Sequence, residues 1–289
     1  MLAQQIVSGL AAGSLYALAA LGLVLIYKTT DLVNFAHGEM AMITAFFSFT
    51  LLNSLGLGYI PAFLLTLVFA ALFGILVEKI FMRPVRRAPI LNQIILTLGL
   101  YMCFRGLAGQ IWGFDLMAYP EAVPGQIIRL GSMVVTPNQI FIFGVTLALM
   151  ILFFCLFRFT IIGLAMRAAS QNMQTAEIMG IRIGSVFSAT WAISTILGCV
   201  AGILIAPATF LYPNMMGEVI IKAFAAAVLG GFNSLPGAVI GGLLLGVLEN
   251  LIAGYISAEL KTSFLFFLII LILYIRPTGL LGTKQIKKV

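Results

Sequence analysis

The chain has 289 residues, of which 62% are hydrophobic and only 9% charged, with a mean hydropathy of +1.15. A soluble globular domain averages roughly 45–50% apolar and about 25% charged residues, so a cytosolic enzyme is excluded and the solvent of most of this chain is lipid. The formal charge of +7 does not point to nucleic acid, because the basic residues sit in loops between apolar runs, where the positive-inside bias places them.

Residues 1–5 carry no basic region of the secretory type, so the run behind them reads as a retained span and not a cleaved signal. Apolar runs cover residues 6–27, 61–81, 90–112, 139–157, 186–206 and 262–275. At 1.5 Å per residue these suit a hydrocarbon core of about 30 Å, the last only marginally. Two regions are less regular. Residues 32–55 open with the polar string Asn34, His37 and Glu39, and residues 218–254 are too long for one crossing. Gly230, Gly231, Asn233, Ser234 and Pro236 interrupt the second region and split it into two short spans. The expectation is an all-α, polytopic inner-membrane helical bundle of about eight or nine spans, forming one domain over residues 1–289.

Lys79, Arg83, Arg86 and Arg87 crowd one loop, Arg158, Arg167 and Arg182 another, and Arg276, Lys284, Lys287 and Lys288 the tail. These segments are expected on the cytoplasmic side, and the loop 113–138, with Asp115, Glu121 and a lone Arg129, opposite them. The N-terminus then lies outside and the C-terminus inside. An echo also runs through the chain. GLAAG at 9–13, Gly38-Glu39 and Pro61 are followed by GCVAG at 198–202, Gly217-Glu218 and Pro236. Five crossings separate the copies, an odd number, which would make an inverted internal repeat of the transporter kind. Chance similarity between Gly-rich helices is the other reading.

Catalytic chemistry has few candidates. One His and few acids give no spacing such as HExxH, and GLLGTK at 279–284 is not a nucleotide-binding loop. Neither a catalytic residue nor a metal or cofactor is expected. Cys103, Cys155 and Cys199 each fall inside an apolar run and read as small packing residues. Small residues dominate instead: Gly9/Gly13, Gly198/Gly202, Gly237/Gly241 and Gly242/Gly246 are all spaced GxxxG, the pattern of close helix approach in lipid. Packing within one bundle is favoured, with Gly242/Gly246 the first choice for a seam with a partner.

Ionisable residues inside apolar runs are more informative, since each costs about 2.5–3.5 kcal/mol at mid-helix on an insertion scale. They are Arg105, Lys222 and Glu249, with His37 and Glu39 nearer a helix start. Arg105 and Glu249 lie at similar expected depth, so they could pair across helices or line a pathway. Glu218 and Lys222 are spaced for an intrahelical pair. Asn34, His37 and Glu39 fit either a polar helix start, with the acid at the positive end, or a gate.

The most distinctive polar segment is MRAASQNMQTAEIMG at 166–180, expected as one short amphipathic cytoplasmic helix with Met166, Ala169, Met173, Ala176 and Gly180 on one side. That face has no Trp, Phe or Leu to anchor in a headgroup layer and suits a protein groove better.

These segments together resemble a known family. GLAAGSLYALAALGLVLIYKTTDLVNFAHGEM at 9–40, RAASQNMQTAEIMGI at 167–181, AFAAAVLGGFNSLPGAVIGGLLLGVLE at 223–249 and PTGLLG at 277–282 are similar to the permease subunits of bacterial branched-chain amino acid ABC importers, the LivH type. The resemblance covers nearly the whole chain. It implies an inner-membrane importer built from this subunit, a second homologous permease, two cytoplasmic ATP-binding subunits and a periplasmic substrate-binding protein. It also implies an ATPase-facing coupling loop at 164–183, carried by Arg167, Ala169, Met173, Ala176 and Gly180. Relatives of similar sequence handle urea or short amides, which leaves the substrate open. A carrier driven by an ion gradient is the alternative that the intramembrane charges would support; an ion channel lacks any filter-like string.

Overall fold

In the computed structural model, residues 2–126, 128–130 and 133–282 are described. They form twelve helices: α1 Leu2–Thr30, α2 His37–Asn53, α3 Tyr59–Val77, α4 Arg83–Val85, α5 Ile90–Trp112, α6 Pro137–Phe159, α7 Ile161–Gln171, α8 Met173–Ile178, α9 Ile183–Thr209, α10 Gly217–Gly230, α11 Leu235–Tyr255 and α12 Lys261–Ile275. A π-helical turn, Glu78–Met82, joins α3 to α4, so that Tyr59–Val85 runs as one 27-residue helix. Among the described residues six helices are long and apolar enough to cross a membrane: α1, α3 with its extension, α5, α6, α9 and α11. The protein is a multi-pass helical membrane protein. Three shorter helices, α2 of 17 residues, α10 of 14 and α12 of 15, occupy the remaining regions assigned to spans. The expected split of residues 218–254 falls at Ser234, whose side chain accepts from Gly237 N–H to start α11, with Pro236 in the first turn.

Helix α3 is built inside out relative to a helix of a soluble protein. On α3, Ala62, Thr66, Ala70 and Gly74 are buried at four-residue intervals, while Leu64, Val68, Leu72 and Leu76 are exposed. Lipid is as apolar as Leu, so burying Leu gains little there; small residues inside let backbones touch.

The chain divides into two compact units. One comprises Leu25–Pro120 and Leu149–Val219, the other Met1–Val24, Glu121–Ala148 and Ile220–Val289. In the first, α9 packs against α2 and α3. A Cβ on Gly74 would stand 2.6 Å from the Trp191 carbonyl oxygen, so only glycine allows that crossing. Around it Met40, Val77, Leu100, Phe104 and Trp191 make an apolar core. At the end of α5, the Trp112 indole N–H donates to Thr50 Oγ1 at 2.9 Å and its ring stacks on Phe46, which fastens the end of α5 to α2.

In the second unit the GxxxG pairs meet one another. A Cβ on Gly13 would lie 2.8 Å from the Gly242 carbonyl oxygen, and one on Gly242 would lie 2.5 Å from the Ala17 backbone; Gly246 closes on Gly13 in the same way. Gly237 and Gly241 press on Gly230 and Ala226 of α10. The Gly242/Gly246 face is therefore filled by α1, which is the packing within one bundle that the spacing favours, and it is not an open seam. In the other unit, Gly198 and Gly202 seat His37 and Ala41.

Two features had no signal in the helical pattern. An antiparallel hairpin pairs β1 Ile128–Leu130 with β2 Met133–Val135, and the Gln4 amide exchanges two 2.7 Å hydrogen bonds with the backbone of Val134. The segment after α12 folds back onto α10: Leu280 and Leu281 N–H donate to the carbonyls of Leu229 and Gly230 at 2.8 and 3.0 Å. This satisfies carbonyls that a helix end otherwise leaves open. Gly231, at φ +102, makes the turn, and a Cβ there would meet Gly282 Cα at 2.7 Å. Lys284, Lys287 and Lys288 lie outside the described residues.

Candidate functional site

Polar side chains gather at three places. At the α4 end of α3, Glu78 is 1% exposed and fully engaged. Arg83 Nε donates to Oε1 at 3.1 Å, Arg83 Nη2 to Oε2 at 2.8 Å, and Ser188 Oγ to Oε2 at 2.6 Å. The π-turn makes this pairing, because five residues separate the acid from the base and the wider turn brings i and i+5 onto one face. Arg86 lies over the Phe187 ring, 4.3 Å from its centroid, and its Nη2 donates to Met173 Sδ at 2.8 Å. Burial lowers the Arg86 pKa, and Glu177 opposes the shift. A cavity of about 50 Å³, lined by Glu78, Arg86, Gln93, Met173 and Trp191 among others, has room for a few waters.

The second place is the start of α2 and the facing side of α9. Asn34 is buried; its Oδ1 accepts from Ala36 N–H at 3.0 Å and its carbonyl accepts from His37 N–H at 3.3 Å. It thus shapes the turn into α2. His37, 1% exposed, places Nδ1 3.4 Å from Ser194 Oγ. Glu39 is equally buried and lies in the field of Arg105, whose Nη1 donates to Tyr101 Oη at 3.3 Å. At the other end of α2, Ser48 Oγ is 2.7 Å from Tyr119 Oη. Burial raises the Tyr119 pKa, so the hydroxyl stays protonated and able to donate.

The third place joins α1, α10, α11 and α12. Glu249 is 4% exposed. Its Oε1 accepts from Lys222 Nζ at 2.6 Å and is 3.5 Å from Lys261 Nζ. Lys222 also donates to Tyr16 Oη at 3.3 Å. Glu249 Oε2 is buried and has no hydrogen-bond partner.

Residues 5–273 match the family described as "Branched-chain amino acid transport system / permease component". The chain belongs to this family. Among curated proteins, the permease is 34% identical to the high-affinity branched-chain amino acid transport system permease protein LivH of Salmonella typhimurium and to that of Escherichia coli. The same identity holds for BraD of Pseudomonas aeruginosa, and in each case 99% of this chain and 97% of the relative are covered.

The geometry of this permease corrects two expectations. The cations at Glu249 are Lys222 and Lys261, from its own compact unit, in place of the expected Arg105. Similar depth in two helices did not reveal which helices are neighbours, whereas the four-residue connection between α10 and α11 brings Lys222 to Glu249. The helix expected over 166–180 is two helices. Asn172 has extended backbone, and its side chain accepts from Thr175 N–H at 2.9 Å to start α8 afresh.

That break redistributes the faces. Met166, Ala169 and Ala176 are buried within the permease itself, at 0%, 4% and 4% exposure. Met173 is half-buried on Arg86, and Gly180 is exposed with φ +86. Arg167 donates to the Phe157 and Arg158 carbonyls, closing the end of α6. Exposed instead are Gln174, Thr175 and Glu177, with Ile178 and Met179 at 85% and 77%. Missed from the sequence were Glu78 with Arg83 and Ser188, and the second cation, Lys261.

Proposed function

We propose that this permease forms half of the membrane pathway of an ATP-driven importer of branched-chain amino acids in a bacterial inner membrane. A second homologous permease, two cytoplasmic ATP-binding subunits and a periplasmic binding protein complete the assembly. The basic loops at 79–87 and 158–182 face the cytoplasm in this reading, and the segment 164–183 is the coupling loop. The observation that carries it is the exposed apolar pair Ile178 and Met179, held out on a helix whose opposite face is tied to the body through Met173 and Ala176. An apolar tip on a braced helix fits a cleft in another protein. In this reading Arg167, Ala169 and Ala176 brace the loop, and contact falls to the residues around Gln174–Met179. Asn34 sets the turn that aims His37 and Glu39, which with Arg105 are assigned to the route or its gate.

The test is reconstitution with the partner subunits and labelled leucine. Uptake is expected to need ATP and no ion gradient; uptake driven by a gradient without ATP rejects the proposal. Ile178→Asp combined with Met179→Asp should leave insertion and folding intact, release the ATPases, and lower uptake at least tenfold. Retention of the ATPases with full uptake would assign the tip to the lipid headgroup layer instead.

A further inference from the structure

At the junction of α6 and α7 the chain doubles back within a few residues. The Thr160 side chain accepts from Gly163 N–H at 3.1 Å to start α7. A Cβ on Gly163 would collide with the Leu156 and Phe157 carbonyl oxygens, so only glycine lets α7 lie this close to the end of α6. The elbow carries two kinds of surface side by side. Phe159, Ile161 and Leu164 are exposed, Ile161 at 86%, and they follow the exposed Ile151 and Leu152 of α6. A spanning helix turns such a face to lipid, and the elbow carries it past the end of the span. Beside it, three cations rest on aromatic rings. Lys28 Nζ and the Arg167 guanidinium lie 5.4 and 5.7 Å from the centroid of the Phe157 ring, and the Arg158 guanidinium lies 5.9 and 5.7 Å from those of Phe154 and Phe159.

These cations have no anion of their own. Residues 149–171 contain no Asp or Glu, and among the described residues none of the three forms an ion pair. The charge that acts on Lys28 is that of Arg167, of the same sign. Arg83, by contrast, has Glu78, and Lys222 and Lys261 have Glu249. We propose that the elbow is a binding site for an anionic phospholipid of the cytoplasmic leaflet. The headgroup lies against Lys28, Arg158 and Arg167, and the acyl chains run along Ile161, Leu164 and the exposed side of α6. A soluble anion matches the charges and leaves the apolar residues in water; a lipid without net charge covers those residues and leaves the cations unmatched. A phospholipid of net negative charge meets both needs. Only the choice of leaflet rests on the topology proposed above. Since α7 leads into the segment 164–183, a lipid held here steadies the base of that segment.

The experiment titrates the full-length permease in detergent with phosphatidylglycerol or phosphatidylcholine and reads bound lipid by native mass spectrometry. Phosphatidylglycerol is expected to bind at least tenfold more tightly. Lys28→Gln with Arg158→Gln breaks no ion pair and should fold, and it should cut that preference at least fivefold. Lys79→Gln with Arg87→Gln takes the same charge from another basic loop and should leave the preference within twofold. Phe159→Ser with Ile161→Ser should weaken both lipids at least threefold. Equal affinity of the unaltered chain for the two lipids overturns the proposal whatever the variants do. Equal losses in the two charge-removing variants also overturn it, by reducing the effect to net charge. Displacement of phosphatidylglycerol by millimolar inorganic phosphate would make the elbow a site for a free anion, and loss of the preference on assembly with the second permease would give the elbow to that subunit; either result rejects the lipid. Failure of the importer reading is separate: ATP-dependent uptake would be missing while the lipid preference stood.

Discussion

Among the described residues three glutamates are buried, Glu39 and Glu78 in one compact unit and Glu249 in the other, and the partners of Glu78 and Glu249 are arranged differently. Glu78 has three donors spread over both oxygens. Glu249 has two cations, both on one oxygen. A carboxylate with hydrogen-bond donors on both of its oxygens is held as a fastening. A carboxylate filled on one side retains its capacity to bind. Burial alone does not separate structural charges from working ones.

A single series of lysine and arginine replacements can break this comparison, with unfolding of the purified permease in detergent as the common measure. The largest loss is expected for Arg83→Met, which leaves buried Glu78 with Ser188 as its remaining donor. Stranding a buried charge costs about 3 kcal/mol or more. Lys222→Met should cost less, about 1–2 kcal/mol, because Lys261 remains beside Glu249 as a counterion. Lys261→Met should fall within about 0.5 kcal/mol of the unaltered protein, since its half-exposed ammonium contributes as a surface ion pair does. If Lys222→Met is as damaging as Arg83→Met, Glu249 is a fastening too, and the contrast drawn between the two carboxylates fails.

The long spans were legible because lipid imposes length and continuous hydropathy on any helix that crosses it. The expectation for Ile90–Trp112 coincides with α5, and Ser234 with Pro236 marked the start of α11. Partner choice was less legible. Glu78 and Arg83 are separated by five residues, a spacing that an ordinary α-helix places on different sides, and nothing in the composition announces the π-turn that joins them. Glu249 stood out as a charge in an apolar run, but two residues of equal depth do not disclose adjacency. In the 166–180 segment the pattern marked an apolar stripe correctly, and Met166, Ala169 and Ala176 are buried. What the pattern lacked was the direction of that stripe: it faces the body of the permease, and the break at Asn172 frees the other side.

The fold-back of residues 277–282 onto α10 has a consequence for how the protein is made. The carbonyls of Leu229 and Gly230 receive their donors from Leu280 and Leu281, about fifty positions later in the chain. A ribosome that has delivered α10 into the bilayer has therefore delivered a helix with an open end, and only synthesis of the late segment closes it. A nascent chain arrested after α12 leaves these two carbonyls without the donors they have in the finished protein.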